Sequence, residues 1–177
     1  MRTMSRVVDL EEGRLNVAAK KGFRNWVSHF GENFGVRTKL SEVSLYTLSY
    51  LAQAKDKGTF YLYDLIMNLE SLGSGFDFGE ISAKQKMAVI DRYLFLLDRI
   101  RFECMKRVGW IDDYPGEELS ILELVTRFEE VAPGLQAKVP SLNPAHPGYE
   151  KFSSLHSFDQ EAYIRKLIPM VLKKLQV

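Results

Sequence analysis

Three residue groups in this chain carry side chains that could do chemistry, and each lacks a part that the chemistry needs. The histidines are His29, His146 and His156. A metal site needs three or four nitrogen, sulfur or carboxylate ligands at set spacing, and His29 has only Glu32 three residues on. His156 precedes Asp159 by three residues. No strained nucleophile turn accompanies that pair, so a hydrolytic triad is not indicated. The glycine-rich run from Gly73 to Gly79 precedes a helix start, as phosphate cradles do. It lacks the Lys-Ser or Lys-Thr pair, and Asp77 and Glu80 stand where an anion would go. Asp112, Asp113, Glu117 and Glu118 offer oxygen ligands without the spacing of a calcium loop. No catalytic residue, cofactor or metal is therefore expected, and the chain reads as non-enzymatic.

The pattern that does ask for a neighbour is a stripe. Arg92, Phe95, Arg99, Phe102 and Lys106 recur at alternating three and four positions, so on a helix the cations and rings line one narrow face. A broader apolar face on the same segment includes Met87, Ile90, Leu94, Leu97, Ile100, Cys104 and Val108. The broad face reads as core. The stripe reads as a docking site for a protein partner or a second copy of the chain, with Phe95 and Phe102 as anchors and the cations setting orientation. Glu103 is placed to neutralise part of it through Arg99, Lys106 or Arg107. The alternative function is small-molecule binding in an internal aromatic pocket lined by Trp26, Phe30, Tyr46, Tyr50 and Tyr93.

Composition narrows the partner classes. In 177 residues, 24 Lys and Arg balance 23 Asp and Glu for a net charge of +1, which supplies no global field toward nucleic acid or an anionic membrane. The αα-hairpin expected over residues 43–72 could mimic a DNA reader, yet its second helix has Asp64 and Glu70 and no Lys or Arg from Tyr61 to Leu72. Neither nucleic acid nor membrane is an expected partner. No apolar run reaches the length of a membrane span, the N-terminus lacks a signal-peptide core, and Cys104 is the only cysteine, so a cytoplasmic location is expected.

The elements that position the stripe are helical. The apolar spacing predicts helices over about 22–34, 42–55, 61–72, 83–108, 117–131 and 157–175, giving an all-α single domain over 1–177, an irregular bundle of five or six helices around the long one at 83–108. Ser82 with Gln85, and Ser157 with Gln160, have capping-box spacing, and Gly73 suits a left-handed helix end. Pro169 is expected to kink the last helix. Residues 1–21 are read as a candidate flexible N-terminal arm. Residues 133–156, with Pro133, Pro140, Pro144 and Pro147, are read as a loop that no regular helix crosses.

Overall fold

Helix α5, Ala83–Arg107, is the axis of the molecule, and its start is written in two residues. Ser82 Oγ accepts from the Gln85 N–H at 3.1 Å while Gln85 Oε1 accepts from the Ser82 N–H at 3.0 Å. Lys106 and Arg107 occupy its last turn, where cations suit the dipole, and Gly109 turns the chain away at φ 79°. The computed structural model describes the backbone of residues 2–176 and the side chains of residues 10–176.

The other helices are α1 (Arg2–Gly22), α2 (Arg24–Phe30), α3 (Leu45–Ala52), α4 (Asp56–Leu69), α6 (Ile121–Thr126), α7 (Phe128–Gln136), α8 (Tyr149–Ser153) and α9 (Ser157–Lys174). Short 3-10 turns span Leu40–Glu42 and Gly75–Glu80. No strand occurs among the described residues, so the expected all-α architecture around a long central helix holds. Several expected helices are shorter or divided. Gly31, at φ 71°, ends α2 by donating to the Val27 carbonyl at 3.0 Å. The helix expected from Glu117 instead begins after Ser120, capped reciprocally with Glu123, and breaks at Arg127.

Two hydrophobic cores share α5. Its N-terminal and middle turns enter the larger one through Val89, Leu96 and Ile100, beside Trp26 of α2, Leu51 of α3, Leu62 and Ile66 of α4 and Val125 of α6. Its C-terminal turns supply Phe102 and Met105 to a smaller core with Ile111, Tyr114, Leu142, Phe152 and the α9 residues Ile164, Leu167, Ile168 and Val171.

Several readings of the sequence differ from the structure. Residues 2–21 belong to α1, which lies along α4 and contributes Leu15, Ala18 and Ala19 to the larger core. Gly22 makes the close approach possible, since a Cβ there would sit 2.9 Å from Leu65 Cδ1 and 3.3 Å from the Leu65 carbonyl oxygen. The proline-rich stretch carries helix toward its two ends, α7 reaching Gln136 and α8 spanning Tyr149–Ser153, and no helix crosses it. Pro133 lies inside α7, and the carbonyl that loses its donor belongs to exposed Glu129, where water can replace the bond. The remainder, 137–148, is irregular but fastened. Asp112 N–H donates to the Ser141 carbonyl at 2.8 Å, Ser141 N–H to that of Asp113 at 3.0 Å, and Leu142 is buried opposite Ile111. In α9 the helix runs through Pro169, which lies on the exposed side. Its N-cap is His156, so the Ser157–Gln160 box is not formed.

Candidate functional site

The stripe on α5 finds its second neighbour within the same chain. Phe95 is 1% exposed and meets Phe128 of α7 edge to face, with ring centroids 5.4 Å apart. Phe102 is 3% exposed, in the smaller core with Tyr114 and the apolar face of α9. Arg92 donates through Nε to Glu70 at 3.0 Å and lies 5.0 Å from the Phe128 ring centre. Arg99, 2% exposed, is held between the Phe95 and Phe102 rings at 4.8 and 5.1 Å and donates to the Pro115 carbonyl at 2.6 Å. Its Nε has no partner, and desolvation pushes the guanidinium down to about 10. Lys106 reaches Glu117 at 2.7 Å. The expected anchors, Phe95 and Phe102, are therefore internal, covered by other segments of the same chain. The positive stripe is a clamp holding α7, the turn at Tyr114–Pro115 and α9 against one rod.

Glu103 does not pair with Arg99 or Lys106. Its carboxylate accepts from Tyr114 Oη at 2.6 Å and from Arg107 Nε at 2.9 Å. Burial and the Glu103 carboxylate both raise the Tyr114 phenol far above its ordinary value, so it stays a donor. Arg107 Nη2 in turn donates to the carbonyls of Leu40, Ser41 and Val43, tying the 3-10 turn to α5. Burial pushes the Cys104 thiol up to about 12, which makes it inert as a nucleophile.

Of the aromatic residues expected around an internal pocket, Phe30, Tyr46 and Tyr50 come together at the surface, while Trp26 and Tyr93 lie apart from them. Trp26 is fully buried against Phe23 and Phe34. Phe30 and Tyr50 join a surface group with His29 and Tyr61, where His29 Nδ1 and Tyr61 Oη are 2.8 Å apart. Tyr46 is exposed at its edge, and Tyr93 stacks on Tyr63 elsewhere. The first donors of the glycine-rich turn are taken by carboxylates of the chain itself. Asp64 takes the Gly75 N–H and Asp77 takes the Ser74 N–H, both at 2.8 Å. His146 accepts from the Gly148 N–H and packs on Trp110. Among the described residues no three His, Cys, Asp or Glu side chains gather as metal ligands, and no helix is long and apolar enough to cross a membrane.

One groove that stays open, of about 710 Å³, lies beside α1. One wall is Leu10, Arg14, Val17 and Lys21, at spacings of four, three and four, which puts them on one face of the helix. The far wall is the end of α4, with Asn68, Ser71 and Gly73. Ser71 and Gly73 both have positive φ, 58° and 98°, and reverse the chain there so that no described element covers this face of α1. Leu10 is 74% and Val17 55% exposed, and no described atom lies within 4 Å of where a Gly13 Cβ would stand. The chain matches no family model, no curated protein and no solved structure. Sequence reasoning misses this face by assigning residues 1–21 to an arm; the available signal is the same three-and-four alternation of cation and apolar residue that marks α5.

Proposed function

We propose that this chain is a non-enzymatic helical interaction protein that docks a protein partner in the groove between α1 and the end of α4, and not along the α5 stripe. The observation that carries the reading is the exposed face of α1, where two aliphatic side chains stand in the open beside an unfilled depression. Fully covering a Leu or Val side chain recovers about 1.5–3 kcal/mol, so two of them at the centre of an interface supply a workable anchor. The packing of α1 on α4 supports the reading, because Leu15, Ala18 and Ala19 seat the helix on the larger core while its opposite side faces out.

The test is native mass spectrometry of the full chain purified from its own host, with and without the paired substitution Leu10→Asp and Val17→Asp. A second polypeptide retained by the parent chain and lost from the variant, with circular dichroism unchanged, is the expected result. A co-purifying small mass that survives the substitution argues for a ligand-binding protein instead.

A further inference from the structure

The groove also carries a charge pattern. Among the described residues that line it, Arg14 and Lys21 are the only ionic side chains, and each lies one turn beyond an aliphatic residue, giving the order Leu10, Arg14, Val17, Lys21. Among the described residues Lys21 meets no carboxylate within 4.0 Å and Arg14 meets only Glu11. Glu11 lies 3.8 Å from Arg14 across a pair in which both side chains are more than 60% exposed, a geometry that contributes little. Glu70 is occupied by Arg92 at 3.0 Å. From residue 10 to residue 21 the face runs about 16 Å, or three helical turns. A shallow groove bounded by a helix on one side and a chain reversal on the other has a form on which a helix can lie.

We infer, resting on the docking reading above, that the partner is an acidic amphipathic helix of about three turns, its apolar residues seated on Leu10 and Val17 and its carboxylates facing Arg14 and Lys21. A second copy of this chain fits less well. A two-fold interface sets a patch against itself, and this patch would bring Arg14 and Lys21 against their own equivalents with no carboxylate among the described lining residues to answer them.

The probe is a pair of fluorescently tagged helical peptides with Leu at the i, i+3 and i+7 positions, one bearing Glu at the flanking positions and the other Lys, titrated with the full chain in anisotropy measurements. The acidic peptide is expected to bind at least tenfold more tightly, and to weaken as salt is raised. Arg14→Glu with Lys21→Glu should reverse the preference; these side chains are on the surface, and an unchanged thermal melt confirms that the fold is intact. Equal binding of both peptides, or a preference indifferent to the charge reversal, overturns the inference. In that event, loss of the host complex on Leu10→Asp and Val17→Asp still upholds docking in the groove, so the two readings fail separately. Self-association in analytical ultracentrifugation that the same pair abolishes overturns it in favour of a second copy. Binding to phosphatidylserine vesicles through Arg14 and Lys21, without binding to the acidic peptide, overturns it in favour of a membrane surface.

Discussion

Helices α1 and α5 bear the same sequence device, cations alternating with apolar side chains three and four residues apart, and the fold treats them in opposite ways. On α5 the apolar members are phenyl rings, Arg99 is desolvated between them, and three separate segments close over the face. On α1 the apolar members are aliphatic and stand in water. The difference lies in how much chain is left to cover each helix. Beyond α5 the molecule still has α6, α7, the Tyr114 turn and α9 to spend as cover, whereas α1 packs chiefly on α4, and α4 ends in a reversal that leaves its flank bare. An alternating stripe thus announces that a second neighbour is wanted without saying which molecule provides it.

That contrast breaks first if the buried rings prove dispensable. Phe95→Ala and Phe102→Ala are each expected to cost about 3–5 kcal/mol in urea unfolding, as large-to-small changes in a packed core do. A next, smaller effect belongs to Glu103→Gln, which weakens the bonds to Tyr114 and Arg107 and should cost about 1–3 kcal/mol in the same measurement. The burial of α5 also has a pH signature. Cys104 is raised from 9.0 to about 12, so the stability it lends is intact below pH 9 and is lost as pH climbs from there through its folded value. From about pH 8 to about pH 10 the parent chain should lose on the order of 1 kcal/mol more than Cys104→Ala does, read from paired urea melts. Smallest of all, Leu10→Ala and Val17→Ala should each move stability by less than about 0.5 kcal/mol while weakening the acidic peptide severalfold, which sharpens the distinction between a face used for folding and one kept for a partner.

How much of this is legible in the residues depends on whether the signal is local. The start of α5 is a reciprocal pair three residues apart, and the apolar face of α9 repeats within one helix, so both can be read directly. The cover over Phe95 and Phe102 comes from Phe128, Tyr114 and α9, segments whose convergence no periodicity records. Helix α1 escapes notice because its inner face, Leu15 apart, is built from Ala18, Ala19 and Gly22, which bury themselves by close approach instead of by bulk. Helix α7 tolerates Pro133 because the orphaned carbonyl lies at the surface, a fact of placement and not of sequence.

Asp98 of α5 and the Arg165 that grips it from α9 lie 67 residues apart. A ribosome adding about 5–20 residues per second leaves that interval open for roughly 3–13 seconds. Throughout it the nascent polypeptide carries Phe102 and Met105 without their eventual lid, a period during which holdase chaperones have something adhesive to grasp and premature termination would yield a product prone to clump.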